Sequence, residues 1–398
     1  MPQFFTVRGL TWPCARPGPF ARRHTGLALL VLAGAALANA VQAAGNEIVV
    51  GEIIDQSPGW IEAGRDYVAG AKTYFDLVNT EGGINGRKIV HLVKDGKGDP
   101  ATIAKAAVEL LGEGRADVLF GNIGDATMRT LAAAQIGEKQ NVVLFAPLTG
   151  LPSTQRQTRT VRASYADEAR SLVRHFTGLG LSSFCVVSSH GEEQKASLAA
   201  VHEAIAATIG QAGPAPCLAD IEDSGRDARK AAQLIRARRP QAVIVLGDTA
   251  VVGNFVREFP FKTLGVAVGA LSLVNHTALI EIAGPQPARG VVITQVVPAP
   301  QKEAVPIVRE HARAMRKFRD EPPSHLTLEG FIAAKTMVEA LRRGLTAKVV
   351  RREDVTAALA GLPEARLAAL ANEYATSASG GARMIEVTMV GGDGRLIQ

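Results

Sequence analysis

The sequence predicts an α/β protein made of two doubly wound lobes, each built on a parallel sheet. Three observations carry that prediction. From Glu47 onward, short apolar strands alternate with helical stretches. The alternation is interrupted at "TGLPSTQRQTRT" (149–160) and at "GVVITQVVP" (290–298), which read as crossings between lobes. The chain has 398 residues, 47% hydrophobic and 21% charged, enough for two domains of ordinary size. Strands that alternate with helices pair in parallel and carry the helices on the sheet faces.

The elements follow in order. Ile48–Ile54 reads as a strand. Ile61–Asn79 reads as a helix with Ala63, Tyr67, Ala71, Tyr74, Phe75 and Val78 on one face. Lys88–Lys94 is a strand, Ala101–Gly112 a helix with Pro100 at its start, Val118–Phe120 a strand, Thr127–Glu138 a helix and Val142–Phe145 a strand. Past the first crossing come strand Val161–Ala163, helix Asp167–Leu179, strand Phe184–Ser188, helix Lys195–Ile209 and strand Cys217–Ile221. Helix Arg226–Arg238, strand Ala242–Leu246, a helix ending at Glu258 and strand Val266–Val268 complete the second sheet. Helices near Ala304–Arg319 and Thr327–Arg343 follow the second crossing, and the tail reads as two strands around a turn at Gly391–Gly394.

Residues 1–43 stand outside this fold. Arg8, Arg16, Arg22 and Arg23 precede the apolar "GLALLVLAGAALANAV", and the small residues around Val41-Gln42-Ala43 follow. A basic region, an apolar region and a small-residue cleavage site make a secretory signal peptide, cleaved near Ala43. The apolar run is short for a transmembrane helix, which needs ~20 residues. Its removal takes four arginines and no acids, so the net charge falls from +6 to +2. No clustered basic stripe of the kind that binds nucleic acid is seen. Cys185 and Cys217 remain in the exported chain, either as a disulfide or as two buried thiols.

The sequence lacks a G-x-S-x-G elbow, a Walker loop, a G-x-G-x-x-G after the first strand and an H-E-x-x-H pair. No catalytic residue, cofactor or metal is therefore assigned. "TEGGINGRKI" (80–89) resembles a phosphate cradle, but it lies at the amino end of a strand. It reads as a helix stop and a tight turn at Asn85-Gly86, with Arg87 and Lys88 facing solvent.

In open α/β sheets ligands sit beyond the carboxyl ends of strands. The segments there are Asp55–Trp60, "GNIGDAT" (121–127), "PLTG" (147–150), "SYADE" (164–168), "SSHGEEQ" (188–194), "GDTA" (247–250) and "GALSL" (269–273). They offer Ser57, Trp60, Asp125, Thr149, Tyr165, His190, Asp248 and Ser272, a set that suits a small polar organic ligand stacked on aromatics. Each has a plainer reading: Ser57 in a turn, Asp125 as a helix cap, Thr149 serving its own turn, and Asp167-Glu168 complementing a helix dipole.

Taken in order, "YFDLVNTEGGINGRKI", "FGNIGDAT", "FAPLTG", "VRASYADEARSLVRHF", "PQAVIVLGD", "GVVITQVVP" and "LEGFIAAKTMVEAL" resemble the periplasmic leucine/isoleucine/valine-binding-protein group, the type I solute-binding proteins of ABC importers. The resemblance spans about residues 47–345. It implies the type I periplasmic-binding-protein fold, two Rossmann-like lobes joined by a three-strand hinge that close on a ligand. It places lobe 1 at 45–160 and 293–372 and lobe 2 at 161–292 and 373–398. It implies a periplasmic monomer that hands its ligand to an ABC permease in the inner membrane. Family members hold a ligand carboxylate after strands three and four, which here matches Asp125, Ala126, Thr127, Ala146 and Thr149. The aromatic position falls at Trp60, and Ser164 and Tyr165 open lobe 2. Asp125 stands where a hydroxyl residue is usual, and "SHGEEQ" replaces an aromatic pattern. These departures point to a cationic or donor group on the ligand facing Asp125, flanked by Trp60 and Tyr165. Two further readings stay open: a periplasmic sensing module for a membrane receptor, and an exported α/β enzyme.

Overall fold

The computed structural model describes residues 47–397 apart from 58, 153, 154, 190, 191, 210–215, 223, 224, 347, 348, 364, 365 and 368–382. The expected signal segment 1–43 and the expected contact His190 lie outside the described residues. Two sheets organise the rest. The first contains β1 (Glu47–Ile54), β2 (Lys88–Asp95), β3 (Val118–Phe120), β4 (Leu144–Phe145) and β5 (Thr158–Arg159), in the order β2-β1-β3-β4-β5 and all parallel.

The second sheet contains β6 (Phe184–Ser189), β7 (Cys217–Ile221), β8 (Ala242–Leu246), β9 (Ala267–Ala270), β10 (Val292–Gln295), β11 (Glu386–Val390) and β12 (Leu396–Ile397). Their order is β12-β11-β10-β9-β8-β6-β7, with β11 antiparallel to both of its neighbours. The inner strands β6 and β8 are wholly buried, β8 as a continuous apolar run and β6 apolar up to Ser188, as strands covered by helices on both faces must be. β10 pairs with β9 and β11, so the chain leaves the second sheet after Gln295.

Most expected elements stand within two residues of their places. Two elements and one side chain differ for local reasons. The expected helix 127–138 is Asp125–Ala133 and Ile136–Lys139, broken where Gln135 turns left-handed at φ 54°. The strand expected at Val161–Ala163 lies earlier, at β5, where Thr158 and Arg159 pair with Leu144 and Phe145. Residues 161–163 have already left the sheet to cross. Arg87 is 7% exposed rather than facing solvent, because Ile84 and Arg87 exchange backbone hydrogen bonds that fold the turn back. Asn85 Nδ2 also donates to the Leu345 carbonyl at 3.0 Å, which pins this turn to another helix end. The turn itself is as expected, with Asn85 and Gly86 both at positive φ.

Helices Ile61–Thr80 and His325–Gly344 cross in contact above the first sheet and share its main apolar core. Two glycines set that crossing. A Cβ on Gly70 would stand 1.8 Å from the Thr327 carbonyl oxygen, and one on Gly330 2.1 Å from that of Tyr67. No larger residue fits without separating the helices. Among the described residues no helix is long and apolar enough to cross a membrane.

Residues of three stretches that leave or enter the sheets, around Arg162, Val297 and Met384, line one cavity of about 20 Å³. Arg162, 6% exposed, is a buried charge at this crossing. Its Nη2 donates to Glu168 Oε1 at 3.1 Å, and its Nη1 lies 3.4 Å from Glu329 Oε1. Glu168 belongs to helix Tyr165–Gly178 beside the second sheet, whereas Glu329 belongs to His325–Gly344 beside the first. Glu168 also accepts from Ser272 N at 2.8 Å and from Thr294 Oγ1 at 2.5 Å. Burial works against the Arg162 charge, but Glu329 and Glu168 outweigh it and hold its pKa above the usual value. Burial pushes the Glu329 carboxyl up, Arg162 pulls it back, and Glu168 adds a smaller upward push.

Cys185 and Cys217 form a disulfide. They face each other in the β6–β7 register with Cα atoms 4.4 Å apart, and the bond ties edge strand β7 to the sheet interior.

Two measurements test these ties. Arg162→Met strands two buried carboxylates and is expected to cost about 3–5 kcal/mol in urea unfolding. Adding Glu168→Gln and Glu329→Gln to it should recover part of that loss, and no recovery would show that the charges are not what matters. Cys217→Ala is expected to lower stability by about 2–4 kcal/mol. Reduced wild-type protein should fall to the same midpoint; an unchanged midpoint on reduction would contradict a stabilising bond.

Candidate ligand-binding site

A cleft of about 590 Å³ opens where the carboxyl ends of the two sheets face each other. The first sheet supplies Asp55, Ser57, Gly59 and Trp60 after β1, Lys97 and Gly98 after β2, and Asp125, Ala126 and Arg129 after β3. The second supplies Tyr165, Ser189 and Ser197, then Leu246, Gly247, Asp248 and Ala250 at β8, and Leu271 and Leu273 after β9. The two walls come into contact: a Cβ on Gly59 would stand 2.1 Å from Asp248 Oδ2, and the Tyr165 hydroxyl reaches Asp125 Oδ1.

Asp125 is the best-defined polar group here. It opens helix Asp125–Ala133, where a carboxylate is favoured by the free N–H groups and the dipole, and it is 6% exposed. Thr149 donates a short hydrogen bond to its Oδ1, and the Tyr165 hydroxyl donates to the same oxygen at 3.2 Å. Burial pushes the Asp125 carboxyl above the usual range, and the Thr149 and Tyr165 bonds draw it part of the way back. Burial, and then the charge of Asp125, push the Tyr165 phenol well above its usual value, so it stays protonated and donates. Tyr165 is held in turn by its backbone N–H on the Gly150 carbonyl at 3.0 Å.

The other acids also have structural duties. Asp55 Oδ1 accepts from Ser57 N at 2.8 Å and shapes the loop after β1. Asp248 caps helix Thr249–Glu258 through Val251 N at 2.9 Å. Lys97 and Arg129 are exposed and stand at the rim, whereas Asp55 and Asp125 are buried. Among the described residues no cluster of His, Cys, Asp or Glu is placed to hold a metal ion.

Of the expected contacts, Ser57, Trp60, Asp125, Ala126, Tyr165 and Asp248 line this cleft. Thr149 is buried behind Asp125 and also accepts from Leu151 N at 3.1 Å, so it serves its own turn as well. Thr127 is fully buried and does not line the cleft. Ala146, left-handed at φ 49°, lines the small cavity at the crossing instead, and its carbonyl accepts from the Tyr67 hydroxyl at 2.8 Å. Ser164 caps helix Tyr165–Gly178, accepting from Asp167 N at 3.2 Å and donating to Asp167 Oδ2 at 2.7 Å. Ser272 is bound into the Arg162–Glu168 network rather than the cleft.

Lys97, Gly98, Arg129, Ser197 and Leu246 were not among the sequence candidates. Lys97 and Gly98 follow β2, whose carboxyl end the strand-end rule also covers. Arg129 sits one helical turn past Asp125 on the same face. Ser197 and Leu246 carry no sequence signal that sets them apart from core positions.

The family description "periplasmic binding protein" matches residues 47–391. Solved structures show the same architecture. A substrate-binding periplasmic protein from Ralstonia solanacearum is 25% identical with a TM-score of 0.77, covering 88% of this chain and 100% of its own. A possible leucine/isoleucine/valine-binding protein from Rhodopirellula baltica is 21% identical with a TM-score of 0.75, covering 89% and 97%. An ABC-transporter solute-binding protein from R. palustris in complex with benzoate is 14% identical with a TM-score of 0.70, covering 88% and 95%. No curated protein sequence matches the chain. Members of this family are solute-binding proteins rather than enzymes. On the match over residues 47–391, the chain belongs to the periplasmic binding protein family and has the two-lobed fold of its leucine/isoleucine/valine-binding group.

Proposed function

We propose that this protein is exported to the periplasm, captures a small polar organic ligand between two closing lobes, and delivers it to an ABC-type permease in the inner membrane. The ligand is an amino acid or a related compound. The observation that carries the reading is the cleft of about 590 Å³ shared by the carboxyl ends of both sheets, a volume in the usual range for small-molecule sites. The relatives add support: those solved with a ligand include one with bound valine and one with benzoate. The proposed lobes are residues 45–160 with 296–372 and residues 161–295 with 373–398, the expected division moved to the end of β10. Ser57, Trp60, Asp125, Ala126, Tyr165 and Asp248 are the proposed ligand contacts among the residues that line the cleft.

Capture of this kind makes no covalent bond. A ligand that binds only the closed form shifts the population toward closure by its differential affinity. A thermal-shift screen over amino acids, amides, aromatic acids and dicarboxylates tests it. A true ligand at ~100 times its dissociation constant adds ~2.7 kcal/mol to stability. The reading expects at least one such hit, recovered chemically unchanged. A hit that is turned over, or no hit in any class, would overturn it. Delivery is tested separately: uptake of the hit by cells should depend on this protein and on a permease together.

A further inference from the structure

We infer that the inner end of the cleft selects a hydrogen-bond donor on the ligand, an amine or amide N–H, and rejects a carboxylate, because Asp125 already fills the place a carboxylate would take. The inference rests on the solute-binding reading and names the ligand class for that site.

The argument starts from proton supply. A hydroxyl has one proton to donate. Among the described residues, the side-chain donors that reach Asp125 are the Thr149 and Tyr165 hydroxyls, and both give their proton to its Oδ1. Neither keeps a proton for a ligand oxygen. Among the described residues none donates a hydrogen bond to Asp125 Oδ2, and Asp125 lines the cleft. A second acid stands close by: a Cβ on Gly124, the residue before Asp125, would lie 3.2 Å from Asp55 Oδ2. The inner wall therefore presents acceptors and negative charge. A ligand carboxylate placed against Asp125 would meet like charge, and the Thr149 and Tyr165 protons there are already taken. An amine or amide N–H would meet a free acceptor.

The cations do not reverse this. Lys97 follows β2, two strands from β3 in the order β2-β1-β3. Neighbouring strands lie about 4.8 Å apart, so Lys97 springs from a strand roughly 10 Å away from that of Asp125. Arg129 is exposed one turn along the helix. The charges of Arg129 and of buried Arg162 favour the ionised Asp125. Arg162 is paired with Glu168 and Glu329 and does not line the cleft, so the buried charged groups that line its first-sheet wall are Asp55 and Asp125. Across the cleft, Leu246, Leu271 and Leu273 give the opposite wall an apolar portion beside Ser189, Ser197 and Asp248. A donor head on an aliphatic or aromatic body fits this arrangement.

The test uses matched compounds of one shape: benzylamine, benzamide and benzoate, and butylamine, butyramide and butyrate. Each is titrated by calorimetry into the wild-type protein and into Asp125→Asn and Asp125→Ser. Wild type is expected to bind the amine or amide at least tenfold more tightly than its carboxylate. Asp125→Asn keeps the shape and places N–H groups where Oδ2 was. Asp125→Ser frees the Thr149 and Tyr165 protons. Both variants are expected to lose tenfold or more for the donor compounds and to gain for the carboxylates. Far-ultraviolet circular dichroism confirms that each variant is folded, and the asparagine variant carries the test should the serine variant fail to fold. A wild-type preference for the carboxylates, or an unchanged ranking in the folded variants, would overturn the inference while leaving solute binding intact. Tight binding only of compounds without an N–H donor would do the same. Binding of no compound here or in the wider screen would overturn both readings.

Discussion

A single buried arginine fixes how the two halves of this molecule meet. Arg162 lies on one of the stretches that cross between the sheets and is bound to Glu168 on one side and Glu329 on the other. Two carboxylates around one guanidinium, all buried, is an expensive arrangement. Desolvation of such groups often matches or exceeds their mutual attraction, so apolar residues could serve stability as well. What apolar residues could not supply is direction. The Arg162 fork, the Ser272 hydroxyl and the Thr294 hydroxyl satisfy Glu168 from three different segments. That geometry admits one arrangement of crossing, helix and loop, and the orientation of helix Tyr165–Gly178 follows from it.

That orientation matters for the cleft because Tyr165 is the first residue of the same helix. Glu168 lies one turn further on and anchors it to the crossing, while Tyr165 projects toward Asp125 on the opposite wall. The contact between the two walls is thus placed by the buried ion network. On the other side, the close crossing at Gly70 and Gly330 holds helix His325–Gly344, and with it Glu329, against the first sheet. Packing in one lobe, charge at the crossing and a hydroxyl bond in the cleft form one connected structure.

Much of the fold was legible in the sequence because it rests on local signals. Apolar runs such as "AVIVL" alternate with helices, and the resulting strand ends predicted where Trp60, Asp125, Tyr165 and Asp248 would gather. What was not legible rests on long-range contacts. Thr127 and Thr149 look alike as hydroxyls after strands, yet one is fully buried and the other is engaged by Asp125. Ser272 follows β9 as Asp248 follows β8, but Arg162 and Glu168 capture it. Arg162, Glu168 and Glu329 carry no motif in common and are far apart in the chain. Only the tertiary fold shows that they meet. The β7 edge is an intermediate case: the sequence puts Cys185 and Cys217 on successive strands, but only the fold shows that these strands pair and that the cysteines face each other.

The position of Asp125 also bears on closure itself. In an open cleft, Oδ2 can be hydrated, and the raised carboxyl is tolerable with two hydroxyls on Oδ1. Closing the walls removes that water. A buried acceptor left without a partner carries its full desolvation penalty, about 1–3 kcal/mol and more when charged. A ligand that presents a donor removes the penalty, whereas one that presents an acceptor adds to it. The Tyr165 bond alone cannot substitute, because it already lies on Oδ1. On the proposed reading, closure is then favourable only around the right chemistry, and selectivity resides in the unfavourable state of the wrong complex as much as in contacts of the right one.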